Sequence, residues 1–221
     1  MQGKMIVVEG LDGSGKSTQV ALLKEKLEKS GINVYQIKLP NYDDSSSTLV
    51  KMYLDGQFGE KADDVNAYAA STFFSVDRYA SFKKHWQKEY HGGLILADRY
   101  TTSNAIHQMT KLPTSQWDKY LNWLFDFEYN LLGIPEPDCV IFLDMPVDIS
   151  QRLMTGRYGG DENKKDVHER DVDYLKKCYS SAKYAADKCG WETVKCFDGD
   201  SVRSIEDIGK DVFDCVMKNL K

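Results

Sequence analysis

Apolar residues along this chain fall into two kinds of run. Short unbroken blocks rich in β-branched residues are bounded by Gly or Pro: "KMIVVEG", "INVYQIKLP" (Ile32–Pro40), "GLILAD" (Leu94–Asp98 as strand), "CVIFLDMP" and "WETVKCFDG". Blocks of that length and composition predict strands buried on both faces. Between them, apolar residues recur at helical spacing. Lys16 to Ser30 carries Val20, Leu22, Leu23 and Leu27 and stops at Gly31, as a helix with a C-terminal glycine does. The same reasoning predicts one long helix over Ala62–Tyr90, then helices over Thr114–Leu132, from Val147 to Met154, over Val167–Lys188 and over Ser201–Asn219. "NYDDSSS" reads as a polar loop with a helix start in its serines. Strands alternating with helices imply a parallel α/β sheet covered on both faces.

One segment breaks the alternation. "TGRYGGDENKKD" is rich in glycine and charge, with helical pattern on either side, so it reads as a flexible lid insert around residues 155–166 rather than a linker. No repeat or domain linker is visible, and a single domain over residues 1–221 is expected. The chain is 42% hydrophobic and 29% charged, with net charge −5, which favours neither nucleic acid nor a membrane surface as partner. Five scattered cysteines without a C-x-x-C pair suggest reduced thiols and a cytoplasmic protein. The first apolar run is too short for a signal peptide and no later run could span a bilayer.

The first predicted strand leads into "VEGLDGSGKST", Val8 to Thr18. Gly10, Gly15, Lys16 and Ser17 fit G-x-x-x-x-G-K-[ST], between a strand and a helix. Glycines let backbone N–H groups turn inward around a polyphosphate, and the helix N-terminus adds partial positive charge. ATP binding is therefore expected at Gly10, Leu11, Asp12, Gly13, Ser14, Gly15, Lys16, Ser17 and Thr18. Lys16 supplies a mobile charge for the β- and γ-phosphates, and Ser17 a hydroxyl for Mg²⁺.

What receives the phosphate depends on the rest of the chain. A GTPase needs N-K-x-D at a strand end and a D-x-x-G switch. "NKKD" (Asn163–Asp166) lies in the polar insert, and no D-x-x-G lies between Val20 and Asn163. An ATPase or motor needs coupling elements for which there is no spare length, which favours a small kinase. Asp98 and Arg99 emerge at the C-terminal end of an apolar strand, where α/β sheets bind ligands. The carboxylate could hold Mg²⁺ through water; the guanidinium could clamp an acceptor phosphate. Phe74 and Arg78 lie i, i+4 on the long helix, turned away from an apolar stripe of Val65, Ala69, Thr72/Phe73, Val76 and Tyr79/Ala80. Ring and guanidinium on one face could stack on a base and bond its edge, or could be core and surface ion respectively.

"VEGLDGSGKST", "FFSVDR", "ADRYTTSNAIHQ", "PDCVIFLDMP", the arginine-bearing insert and "SIEDI" occur in the order seen in thymidylate kinases, which the chain resembles over nearly its whole length. "DRY" followed by S-x-A-x-x-Q (Ser103, Ala105, Gln108) is the most particular part. The resemblance implies a five-stranded parallel sheet of P-loop kinase architecture, a homodimer, and phosphate transfer from Mg-ATP to dTMP giving dTDP. It implies that Asp12 bonds the sugar 3′-hydroxyl, Phe74 stacks on thymine, Arg78 faces its O4 edge, Arg99 holds the acceptor phosphate, and Ser103 and Gln108 belong to the same substrate site. In this family a basic residue sits in either the cradle or the lid. The cradle reads Asp12–Gly13–Ser14, so the resemblance points to Arg157 as the lid arginine, with Arg152 the other candidate beside ATP.

Three positions depart from the pattern. "PNYDDSSST" lacks the arginine that many relatives carry there, leaving Tyr42, a serine hydroxyl or Arg99 for that phosphate contact. Asn104 stands where serine is common and His107 where tyrosine is common. A monophosphate acceptor is already ionised and needs no strong base, so catalysis by Lys16, Arg99, Arg157 and the ion held by Ser17 and Asp98 would be mostly charge compensation and alignment. Two other classes stay open: a deoxynucleoside kinase using Asp43 or Asp44 as base, and a non-catalytic nucleotide-binding protein.

Overall fold

The computed structural model describes residues 3–59, 61–157 and 172–220. Five parallel strands form the central sheet: β1 (Lys4–Glu9), β2 (Val34–Lys38), β3 (Leu94–Asp98), β4 (Cys139–Asp144) and β5 (Glu192–Lys195), in spatial order β2-β3-β1-β4-β5. The chain steps to one side of β1 and then to the other. The ends of β1 and β3 therefore lie side by side, with Val8 opposite Asp98. That register brings the cradle after β1 next to the charged pair after β3.

Side chains alternate across the pleat, so each central strand feeds two cores. Met5, Val7, Ile95, Ala97, Val140 and Phe142 face one core; Ile6, Val8, Leu94, Leu96, Ile141 and Leu143 face the other. The second is closed by α1 (Lys16–Lys29), through Val20, Leu23 and Leu27, and by the C-terminal helix Ile205–Leu220, through Ile208, Val212 and Val216. The first is closed by helices carrying Trp86, Ile106, Tyr120, Leu124 and Ala182. Double burial holds for β1, β3 and β4 only. The edge strand β2 buries Val34 and Ile37 and exposes the residues between them.

The helices depart from expectation in informative places. The helix start expected in the serines of "NYDDSSS" is present as a 3-10 turn capped by Asp44, which continues into α2 (Thr48–Leu54). The long helix over 62–90 is broken. A 3-10 turn precedes α3 (Ala67–Ser81), whose N-cap is Asn66; a π-turn (Phe82–Trp86) then leads into the short α4 (Gln87–Tyr90). After β3 comes α5 (Thr102–His107), unpredicted. The helix expected over Thr114–Leu132 resolves into a 3-10 turn, α6 (Trp117–Phe125) and a second π-turn (Asp126–Leu131). After β4 come α7 (Val147–Arg157) and α8 (Val172–Cys189). The last helix, α9 (Ile205–Leu220), starts four residues later than expected. Ser201–Val202 instead pairs with Phe197–Asp198 as a small hairpin, and Ser204 Oγ caps α9 at the Asp207 N–H.

α3 follows its own pattern only in part: Ala69 and Phe73 of the apolar stripe pack with Val65 against Tyr53 and Ala70. Val76 and Tyr79 of the apolar stripe are exposed, whereas Ser71, Ser75, Asp77 and Arg78 are buried. A polar helix face can turn inward only if its groups find partners; those partners are in the site. Of the expected lid, residues 155–157 are the last turn of α7. The remainder, with "NKKD", lies outside the described residues, as does the Arg157 side chain.

Candidate active site

The cradle is built on left-handed backbone. Gly13 has φ +76 and Gly15 φ +85, and a β-carbon at Gly10 would lie 2.5 Å from Ser14 Oγ. Lys16 is buried and curls back over the loop, donating to the carbonyls of Gly10 (2.8 Å) and Leu11 (3.1 Å). Burial chiefly, with the nearby Arg99 charge, lowers its pKa to about 8 against the pull of Asp12, Asp98 and Glu9. Ser14 Oγ is buried and, among the described residues, has no hydrogen-bond partner. An unpaired buried hydroxyl is costly, and an anion in the cradle would satisfy it. Ser17 Oγ lies 3.2 Å from Asp98 Oδ2 across the β1–β3 junction. A hydroxyl beside a carboxylate is a hard-oxygen donor pair of the kind that suits Mg²⁺.

Arg99 is the non-glycine residue with positive φ (+71) among those described, its N–H held by the Val8 carbonyl. That twist turns its side chain toward the cradle. Nη2 donates to Asp12 Oδ1 at 2.5 Å and Nη1 to His107 Nε2 at 3.0 Å. Arginine has no acceptor, so this His107 nitrogen must be the unprotonated one. For Asp12, burial raises the pKa, but Arg99 and Lys16 together hold it well below the ordinary carboxylate range.

Beside this pair opens a cavity of about 190 Å³. Asp12, Tyr42, Phe74, Arg78, Arg99, Ser103 and Gln108, widely separated in sequence, all line it. The family model for thymidylate kinase matches residues 8–201. The chain belongs to the thymidylate kinase family. The thymidylate kinase of Mycobacterium tuberculosis is 29% identical over 76% of this chain and 79% of its own length. That of Plasmodium falciparum is 27% identical over 98% and 91%. The solved thymidylate kinase structure from Candida albicans superposes with a TM-score of 0.72 at 21% identity, covering 99% of this chain and 93% of that one, and so shares the fold.

Within that thymidylate kinase frame, the cavity's two ends differ. Toward the cradle it holds Asp12, Arg99 and His107. At the other end Phe74 meets Tyr53 edge-on (ring centroids 6.1 Å apart), closing an aromatic wall between α2 and α3. Arg78 is no surface ion. It is buried and forms a bidentate pair with Glu128, Nε to Oε2 at 2.7 Å and Nη2 to Oε1 at 2.5 Å.

Several expected residues are engaged differently than their motif suggests. The Ser103 hydroxyl donates to Glu9 (2.8 and 3.0 Å), which also receives Thr102 Oγ1 and the Tyr100 N–H, so Ser103 fixes α5 against β1. The hydroxyls of the serines open to the missing phosphate contact are engaged elsewhere: Ser45 on Asp44, Ser46 on Asp77 of α3 (2.6 Å) and Ser47 on the Asp44 carbonyl. Tyr42 borders the cavity from that loop, beside Pro40. Gln108 Oε1 faces Tyr53 OH at 3.5 Å, and that hydroxyl accepts from Lys111 (2.9 Å). Burial lowers the Lys111 pKa to about 8 and raises that of Tyr53 to about 12. Arg152 on α7 is exposed and donates to the Asp200 carbonyl of the hairpin, outside the cavity. Sequence reasoning missed Glu9, Tyr53, Asp77, Lys111, Glu128 and Tyr174. Glu9 sat inside the quoted cradle motif, and Asp77 inside "FFSVDR"; the others carry no local signal.

Proposed function

We propose that this chain transfers the γ-phosphate of ATP to dTMP, giving dTDP and ADP, within a single kinase domain. Family membership supplies the reaction. The observation that carries it at residue level is one continuous cavity bordered by the cradle-side Asp12 and Arg99 and by the base-side Phe74 and Arg78. In this reading the cradle from Gly10 to Thr18 holds the polyphosphate, with Lys16 at its β- and γ-phosphates and Arg152 beside ATP. Arg99 and Tyr42 take the acceptor phosphate. Asp12 takes the sugar hydroxyl. Phe74 stacks on thymine, while Arg78 and Gln108 bond its edge and Ser103 braces the wall. Ser17 and Asp98 would hold Mg²⁺, which when bound would supply positive charge to offset that of the phosphates. The protein's own work is alignment of two anions and exclusion of water. Arg157, by motif position, would reach the transferring phosphoryl from the lid.

A nucleoside acceptor fits less well. It needs a carboxylate base, and Asp44 is bound to Lys84 (2.6 Å), the Ser46 N–H (2.9 Å) and His85 (2.8 Å). Those bonds, Lys84 first, hold its pKa below the carboxylate range, which makes it a poor base. Asp43 is exposed to solvent. A homodimer would cover the outward apolar stripe of α3, where Val76 is 45% and Tyr79 37% exposed. No described helix is long and apolar enough to cross a membrane.

An ADP-release assay over dTMP, dUMP, dCMP, UMP and thymidine tests the reading. Turnover should be greatest on dTMP. dUMP should be weaker but active, because one methyl in an apolar pocket is worth only about 1–3 kcal/mol. Turnover of thymidine with none of dTMP would overturn it.

A further inference from the structure

Glu128 is fully buried within the π-turn of residues Asp126–Leu131, yet it does not line the cavity. Five donors converge on its carboxylate. Arg78 supplies Nε and Nη2; Ser75 and Thr101 supply hydroxyls at 2.7 Å each; Asn104 supplies Nδ2 at 3.4 Å. A carboxylate has about four lone-pair sites, so this one is saturated as the anion. It reaches α3, α5 and the segment after β3 at once, which explains why the polar face of α3 turns inward.

Arg78 has five N–H bonds. Nε and one on Nη2 are committed to Glu128, and one on Nη1 reaches the Tyr100 carbonyl at 3.4 Å. One N–H on each Nη is left for the cavity, which Arg78 lines. The inner end therefore offers a rigid pair of donors whose charge is already cancelled. At the outer end, Arg99 shares its Asp12 partner with Lys16 and remains 20% exposed, so its guanidinium is more open to an anion than that of Arg78, which is 4% exposed.

We propose that Glu128 is a positioning residue that makes Arg78 a fixed, charge-compensated donor fork, so that the inner end takes the carbonyl edge of a pyrimidine and rejects both a 4-amino base and an anion. A free buried guanidinium would compete with Arg99 for the nucleotide's phosphate; the pair with Glu128 removes that competition and sets which end of dTMP enters first. This rests on dTMP being the acceptor.

The test uses the full chain and its Glu128→Gln variant. That substitution would set an amide donor against an Arg78 donor while keeping the volume. Steady-state rates on dTMP and dCMP are measured, together with inhibition by inorganic phosphate against dTMP. In the variant, KM for dTMP should rise about tenfold with kcat changed less than about threefold, since a ground-state contact is lost. The dTMP-to-dCMP ratio of kcat/KM should fall by about tenfold, as expected when a donor fork loses its fixed direction. Phosphate should inhibit the variant more tightly. A merely structural role would move none of these in a folded variant. Unchanged selectivity and unchanged phosphate inhibition would overturn the proposal. Should Glu128→Gln alone prevent folding, the double variant Arg78→Gln/Glu128→Gln removes both charges together. Lost selectivity in that double variant supports the fork, and wild-type selectivity overturns it. A wild-type chain inactive on dTMP would instead refute the reaction itself.

Discussion

Arg99→Ala separates the two substrates most sharply. In the free protein the guanidinium bridges Asp12 (2.5 Å) and His107 (3.0 Å). Clamping the acceptor phosphate would add two charge-assisted hydrogen bonds, each worth about 1.5–3 kcal/mol. The side chain is 20% exposed, so the lower end applies. A loss of about 3 kcal/mol weakens dTMP binding roughly a hundredfold. A second effect adds to this. Asp12, deprived of its nearest cation, becomes a carboxylate beside a dianionic phosphate, a repulsion of about 1–2 kcal/mol after screening. Asp12→Asn on the Arg99→Ala background should therefore recover dTMP affinity by roughly tenfold, since it removes the stranded charge. ATP, held by the cradle, should lose less than about threefold, because its contacts there remain. Calorimetric titration of each nucleotide into each variant measures all four numbers. Equal losses for ATP and dTMP, or a double variant no better than the single one, would refute the assignment of Arg99 to the acceptor.

Other outcomes follow from the cradle and lid. With its pKa near 8 in the free protein, Lys16 is raised by a bound polyphosphate, so ATP binding takes up protons. Uptake by this group should be about half a proton at pH 8 and about a tenth at pH 7. Titrations in buffers of different ionisation enthalpy check it, and uptake that shrank from pH 7 to pH 8 would contradict it. Gly13→Ala combines left-handed strain with a β-carbon 2.8 Å from the Ser150 carbonyl of α7, whereas Gly15→Ala meets nothing within 4 Å. Alanine at Gly13 should cost about 2 kcal/mol and lower Tm by about 5 °C, roughly twice the effect at Gly15; thermal melts giving the reverse order would count against that packing. Arg157→Ala should cut turnover more than about tenfold while leaving dTMP binding intact, as for a group acting only in the transition state. Unaltered kcat would remove Arg157 from the mechanism.

The sheet, the cradle and the charged pair after β3 were legible because each is written in consecutive residues. An unbroken apolar block needs burial on both faces, a G-x-x-x-x-G-K-S run closes around phosphate by its own backbone, and a polar pair after such a block must emerge at the sheet edge. The edges of β2 and β5 were not legible, since strand order is not a local property. Neither was the orientation of α3. Of its apolar stripe, Val65, Ala69 and Phe73 pack inward, while Val76 and Tyr79 face outward.

Sequence alone thus determined the strands, the phosphate cradle and the family, because those depend on local spacing. Only the tertiary structure decided that Arg78 points inward as a fixed donor. That depends on Glu128, fifty residues away, whose buried charge becomes tolerable when α3, α5 and the segment after β3 bring five donors to it at once. A single buried carboxylate, inconspicuous in "DFEY" as a string of letters, draws Ser75 and Arg78 of a helix inward and sets the polarity of the cavity. A buried charge goes where its partners are, and periodicity does not show where that is.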